Sequence, residues 1–158
     1  MRGMTWLTGM DLSWNESGKL INGETDLVVV TQNYENRPEL LVGECKTNKE
    51  IDTGQIDRLV TTAGRFADTG IKTFVMFAKA GGQFASRELE LIDERQTMDF
   101  NFILLTPTEL EPYDPYENLK SDKIRHVAPL TLEEWAHYSR ELYLKTKPDE
   151  VIERHLKA

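Results

Sequence analysis

The sequence is poor in cysteine and in long apolar runs, and each absence excludes a class of protein. Cys45 is the only cysteine among the 158 residues, which excludes a disulfide framework and a cysteine-based zinc site. The longest uninterrupted aliphatic run, Leu27 to Val30, is far shorter than the ~20 apolar residues that cross a bilayer. We therefore expect a protein that does not span a membrane, and the cysteine usage favours a reducing, cytoplasmic location.

Basic residues are outnumbered by acidic ones. The chain has 19 Lys and Arg against 27 Asp and Glu, which gives a formal net charge of −8. With 39% hydrophobic and 29% charged residues, the composition is typical of one folded, water-soluble domain. The negative balance disfavours indiscriminate binding of nucleic acid, because the long-range field repels phosphate.

The first third of the chain predicts three strands. Residues 5 to 14 alternate with a period of two, and the turn-forming residues 15 to 18 separate them from a second strand over about 20 to 31. After a polar loop, Glu39 to Thr47 form the third strand. The predicted sheet therefore begins with a hairpin and an adjoining strand.

The pattern then changes to alternating helices and strands. Apolar residues at steps of three and four predict an amphipathic helix that begins at Thr53, its expected N-cap, and stops at Gly70. A buried strand over 73 to 78, a helix over about 87 to 98 capped by Ser86, and a last strand over 102 to 105 follow. Antiparallel strands followed by crossover helices imply an α/β fold with a mixed central sheet flanked by helices.

The C-terminal third predicts an extension of this sheet domain. Proline and charged residues over 109 to 129 indicate an irregular wrap, and Thr131-Leu132-Glu133-Glu134 forms a capping box that starts a helix. Pro148 opens a short last helix. We therefore divide the chain into a core over 1–106 and a helical extension over 107–158 packed on the same domain.

Two carboxylates lie in strands where packing alone would not place them. Asp26 interrupts an apolar run, and Glu44 follows three apolar residues and a glycine. A carboxylate inside a sheet is costly unless it is paired or holds a cation. Side chains two apart on a strand share a face, so Lys46 points with Glu44, and Cys45 points the other way, into the core. If the second and third strands are neighbours, Asp26, Glu44 and Lys46 meet.

This set of groups suits hydrolysis of a phosphodiester. Two carboxylates, supplemented by the backbone carbonyl of Cys45, are oxygen ligands for a hard cation such as Mg²⁺, with Mn²⁺ as a substitute. A lysine beside the ion can position the attacking water or stabilise negative charge on phosphorus.

Asp26 followed by Glu44-Cys45-Lys46, on the second and third strands before a helix, resembles the PD-(D/E)XK nuclease superfamily, whose fold is the restriction-endonuclease-like fold. The resemblance covers roughly residues 5 to 106. It implies that Asp26 and Glu44 ligate Mg²⁺, that Lys46 is the catalytic lysine and that DNA is the substrate. Several branches place a glutamine on the next helix, and Gln55 stands at that position.

One departure from the family pattern leaves alternatives open. The family core opens with a helix that often carries another acidic ligand, whereas here the first strand begins about five residues from the start. The chain is then a fragment, or another element, a further domain or a second copy fills the gap; Glu24, on the face of Asp26 by alternation, is a substitute ligand. The competing functions are a non-catalytic module of this fold used in protein interaction or assembly, and an unrelated acidic binding domain.

Overall fold

A five-stranded mixed sheet forms the centre of the computed structural model, which describes residues 5–97, 100–110 and 131–157. The strands lie side by side in the order in which they occur in the chain. Each of the first two strands pairs antiparallel with the strand that follows it, and the last three strands are parallel. Their bounds are β1 (Thr5–Glu16), β2 (Lys19–Gln32), β3 (Pro38–Lys46), β4 (Lys72–Lys79) and β5 (Phe100–Leu105).

Helices connect the parallel strands and extend the chain beyond the sheet. They are α1 (Thr53–Ala67), α2 (Ser86–Asp93), α3 (Pro107–Leu110), α4 (Leu132–Tyr143) and α5 (Pro148–Lys157). A mixed α/β sheet with flanking helices and a helical C-terminal part was predicted from the sequence, and this prediction is confirmed. The predicted wrap falls mostly on residues 111–130, which lie outside the described residues. None of the described helices is long and apolar enough to cross a membrane.

The hairpin turn has a conformation that its residues favour. Ser17 and Gly18 both have positive φ, 52° and 82°, as in the two-residue turns that match the twist of paired strands. The Asn15 side chain accepts a hydrogen bond from the Gly18 amide at 2.9 Å. The register that follows pairs Glu16 with Lys19 and continues to Thr5 opposite Val30.

Two predicted helix starts are wrong by one residue. The N-cap of α1 is Asp52, not Thr53: the Asp52 carboxylate accepts from the Gln55 amide at 2.9 Å, and the Gln55 side chain accepts from the Asp52 amide at 3.1 Å. The N-cap of α2 is Ala85, not Ser86, and α2 ends at Asp93 rather than near 98. Ala85 has no capping side chain, and its amide donates instead to Glu88 at 2.6 Å.

The sheet has a separate hydrophobic core on each face. On one face, α1 and α2 cover a cluster that includes Val28, Val42 and Phe77. On the other face, α4 covers a cluster that includes Leu41 and Phe74. The buried hydroxyl of Ser139 bonds the backbone amide and carbonyl of Leu104 at 2.7 and 3.3 Å, which holds α4 on the outermost parallel strand.

A buried glutamate lies at the start of β3, on the face covered by α4. Glu39 is 4% exposed, and its neighbours in register are Thr31 on β2 and Lys72 on β4. The Thr31 hydroxyl is buried without a hydrogen-bond partner in the part of the chain that is described. Burial raises the pKa of the Glu39 carboxyl above its ordinary value of 4.5, and the charge of Lys72 only partly offsets this.

Replacing Glu39 by glutamine is expected to raise stability more at neutral pH than at acid pH. Between 4.5 and the raised pKa, the folded protein holds a proton that the unfolded chain releases, so wild-type stability falls as pH rises through that window. A neutral side chain removes this fall. Urea unfolding at several pH values measures the difference, with Glu50→Gln, an exposed position, as the matched control. A Glu39→Gln difference that does not change with pH would contradict the assignment.

Candidate functional site

Asp26 lies where β2 separates from β3. The ladder between the two strands runs from Gln32 opposite Pro38 to Leu27 opposite Gly43. Beyond that pair, side chains of β2, rather than its backbone, form hydrogen bonds with backbone groups of β3. The Thr25 hydroxyl donates to the Gly43 carbonyl at 2.8 Å, and the Cys45 amide donates to Asp26 Oδ2 at 2.7 Å. Asp26 is therefore fixed at the fork between the strands.

Glu44 and Lys46 form an ion pair at the end of β3. Along β3 they lie two and four residues beyond Val42, so they share a face with Leu40 and Val42. That face is the one covered by α1 and α2. Lys46 Nζ lies 2.5 Å from Glu44 Oε1. Glu44 is only 6% exposed as a residue, whereas the Lys46 side chain is 22% exposed. The carboxylate is thus buried, and the ammonium lies between it and solvent.

The structure brings the three predicted site residues together. The Asp26 carboxylate bonds the amide of the peptide that joins Glu44 to Cys45, so Asp26 is tied to the backbone directly beside Glu44. Lys46 bonds Glu44 directly. The expectation that β2 and β3 are neighbours, which this arrangement requires, is confirmed.

A glycine on β1 stands opposite Asp26 and places no side chain of its own beside it. The pairs Thr8–Leu27 and Met10–Thr25 bracket Gly9 and Asp26, so these two residues stand opposite each other. Gly9 has φ of +60°, a conformation that glycine adopts without the steric cost of a Cβ. The strand beside Asp26 therefore contributes only backbone at this point.

The Cys45 side chain does not enter the core, contrary to the prediction: it is exposed, although Ala78, its neighbour in register on β4, is buried. Desolvation raises the pKa of its thiol, and the charges of Asp26 and Glu44 raise it further against the opposing effect of Lys46. A thiol with a raised pKa is a poor nucleophile. Residue 45 therefore offers the site its backbone rather than its sulfur.

The backbone carbonyl of Cys45 lies on the side of β3 that faces β2. In a strand, the amide N–H and the carbonyl of one residue point to the same side, and those of the next residue point to the opposite side. The Lys46 carbonyl accepts from Ala80 on the β4 side at 2.8 Å, whereas the Cys45 amide points to β2. The carbonyl of Cys45 therefore also faces the β2 side, as its predicted role requires.

Among the described residues, Gln55 makes no recorded contact with Asp26, Glu44 or Lys46. Its side-chain carbonyl is used in the reciprocal cap of α1, where it accepts from the Asp52 amide. The resemblance-based role of Gln55 at the site stays a prediction. Glu24 is exposed and pairs in register with Asp11.

The donors at this site fit a magnesium ion that keeps most of its water. Among the described residues no group of three or more His, Cys, Asp or Glu side chains is placed to hold a metal. Asp26 and Glu44 supply two carboxylates, and the Cys45 carbonyl supplies a third hard oxygen. Mg²⁺ is commonly bound by one or two carboxylates, with water and substrate phosphate completing its coordination.

A second lysine–glutamate pair lies beside the first and was missed in the sequence. Lys79 stands next to Lys46 in the β3–β4 register. Its Nζ lies 2.6 Å from Glu88 Oε2, and the two residues are 3% and 1% exposed. Glu88 also accepts from the amides of Ile51 and Ala85, each at 2.6 Å. The signal that was available is a charged residue, Lys79, directly after the buried strand over 73 to 78.

These contacts hold the backbone that follows Lys46. Besides the Ala80–Lys46 bond, the Gly81 amide donates to the Thr47 carbonyl at 2.7 Å. A Cβ added at Gly81 would lie 2.1 Å from Asn48 Oδ1 and 3.0 Å from the Thr47 carbonyl oxygen. A larger residue here would require the Asn48 side chain to move and would crowd the Thr47 carbonyl, so the loop after β4 packs closely against the end of β3.

Comparison with protein-family models, with curated proteins and with solved structures found no match for this chain.

Proposed function

We propose that this chain is a metal-dependent nuclease that hydrolyses phosphodiester bonds of DNA. The observation that carries the proposal is the convergence of Asp26, Glu44 and Lys46 at the fork between β2 and β3. Two buried-strand carboxylates beside one lysine are the groups that such a reaction needs, and they stand in the element order that the resemblance to PD-(D/E)XK nucleases implies.

Each residue has a separate task in the proposed reaction. Asp26 and Glu44 would hold Mg²⁺, with the Cys45 carbonyl beside them; the ion, when bound, supplies Lewis-acid polarisation of the phosphate and a more acidic water. The Lys46 ammonium stabilises the negative charge that develops on the phosphoryl oxygens. The Cys45 amide holds Asp26 in place by a hydrogen bond at 2.7 Å.

The charge of the chain shapes how DNA would be held. A net charge of −8 opposes long-range attraction of DNA, but the local field at the site changes sign where a divalent ion is bound. We therefore propose weak, salt-sensitive DNA binding by this chain, strengthened by a second copy or by another domain.

Cleavage is expected to require both the ion and Asp26. Supercoiled plasmid incubated with the protein and Mg²⁺ should be nicked or linearised, and chelator should stop the reaction until excess Mg²⁺ is restored. Asp26→Asn preserves the side-chain shape but removes a charged ligand, so cleavage should fall at least about 10²-fold. Agarose gels of the products measure this.

The control is Asp11→Asn, which makes the same change at an exposed position of β1 and should leave cleavage unchanged. Cleavage that persists in chelator, or at full rate in Asp26→Asn, would contradict the proposal. Absence of both cleavage and Mg²⁺ binding in the folded wild-type protein would favour the non-catalytic interaction module, a function that the net negative charge also suits.

A further inference from the structure

Lys46 binds one of the two carboxylate oxygens of Glu44, a proposed metal ligand. Its Nζ lies 2.5 Å from Glu44 Oε1, and Lys46 is the ion-pair partner that Glu44 has among the described residues. Because Glu44 is 6% exposed, this pair is shielded from the solvent screening that weakens surface ion pairs. The lysine therefore neutralises a carboxylate that would otherwise be buried and unpaired.

A divalent ion and this ammonium would stand close together if both bound the Glu44 carboxylate. Mg²⁺ binds carboxylate oxygens at about 2.0–2.1 Å, so an ion on Glu44 Oε1 would stand within about 5 Å of Lys46 Nζ even if the two lay on opposite sides of the oxygen. Like charges at that distance in a partly buried site repel strongly. This repulsion favours a loaded site in which the ammonium has left Glu44.

We propose that Lys46 is an internal counter-ion that neutralises Glu44 and is exchanged for the divalent cation when the metal binds. This inference rests on the proposed function, because it concerns the same Glu44 site. It makes metal binding and release of the lysine one event: an unloaded site keeps Lys46 on Glu44, and a loaded site presents the ammonium to the substrate phosphate.

The surroundings of Lys46 limit where the released ammonium can go. Its backbone carbonyl is fixed by Ala80, so the exchange moves the side chain alone. The neighbouring carboxylate, Glu88, already bonds Lys79 and two backbone amides. Lys46 is the more exposed of the two lysines, so the released ammonium would move towards solvent.

Metal binding without any nucleic acid tests this exchange. Calorimetric titration of the purified full chain with MgCl₂ or MnCl₂ compares the wild type with Lys46→Met, which keeps the length of the side chain and removes its charge. Loss of the competing charged hydrogen bond is expected to tighten binding about tenfold or more. Lys49→Met makes the same charge change at an exposed residue three positions on and should shift affinity by less than about twofold.

The outcomes separate this inference from the function on which it rests. Tighter metal binding in Lys46→Met but not in Lys49→Met supports the exchange. This holds even if metal binding by the wild type is too weak to detect. Wild-type binding that is unchanged or weakened in Lys46→Met overturns the exchange and leaves the proposed function standing. No binding in the wild type or in either variant overturns both.

A second measurement uses the wild-type chain alone, in case Lys46→Met does not fold. Acetylation by a dilute acylating reagent, followed by peptide mass spectrometry, reports how accessible each lysine amine is. Saturating Mg²⁺ should raise acetylation of Lys46 severalfold relative to Lys49. A ratio that stays the same or falls when the ion is added would overturn the exchange.

Discussion

Lys46→Ala is expected to lower the rate of DNA cleavage by about 10²- to 10³-fold at saturating Mg²⁺, the usual effect of removing one group that stabilises charge in the transition state. The variant leaves the buried Glu44 carboxylate without its ion-pair partner, so its fold is checked at saturating Mg²⁺, where the ion takes the place of the ammonium. Single-turnover cleavage of a labelled duplex measures the rate, and circular dichroism measures the melting temperature.

The direction of this change is informative because metal affinity should move the other way. A variant that binds Mg²⁺ more tightly but cleaves more slowly has lost chemistry rather than the ion. Lys49→Ala serves as the control and should retain the wild-type rate. If Lys46→Ala cleaved DNA as fast as wild type, the catalytic role of Lys46 would be wrong, whatever the metal affinity.

Glu88→Ala is expected to destabilise the fold by about 3–5 kcal/mol, the cost of removing one partner from a buried ion pair. The substitution leaves the Lys79 ammonium buried, with the Gln83 carbonyl at 3.4 Å as its remaining hydrogen-bond acceptor among the described residues. It also removes the acceptor of the Ile51 and Ala85 amides. Urea unfolding followed by circular dichroism measures the change.

Lys79→Met should cost clearly less than Glu88→Ala. In that variant the Glu88 carboxylate keeps its two backbone donors at 2.6 Å, and hydrogen bonds of this kind stabilise the charged form. Arg37→Ala, at an exposed pair with Glu35, is the control and should change stability by less than about 0.5 kcal/mol. Equal losses of stability in Lys79→Met and Glu88→Ala would show that the ion pair, rather than the hydrogen bonds from backbone amides to Glu88, stabilises this region.

Periodicity was sufficient to predict the order of strands and helices from residue 5 to 105. Alternation in β1, the apolar runs of β2 to β4 and the helical spacing of α1 each depend on residues close in sequence, so the pattern is visible without coordinates. Asp26 and Glu44 were found by the same logic, because a charge within an apolar strand contradicts the local pattern. Their meeting required only that β2 and β3 be neighbours.

The features missed depend on contacts that are distant in sequence or on exact ends of elements. Glu88 bonds the amide of Ile51, 37 positions earlier, and no local pattern connects the two. Cys45 was expected in the core because alternation gives the direction of a side chain but not how far it is covered. The N-cap of α1 lies at Asp52 because its carboxylate reaches the Gln55 amide, a choice between neighbouring capping residues that only geometry decides.

The coincidence of sheet order with chain order has a consequence for folding. Each strand pairs with the one before it, so no strand has to enter between two neighbours that are already paired, and every ladder closes over the shortest available loop. We expect assembly to proceed from the β1–β2 hairpin outward, with the parallel ladders, each of which waits for a crossover helix, forming last. Asp26 and Glu44 would then meet early, when β3 joins the hairpin, whereas the support beneath Lys46 is completed only when β4 arrives.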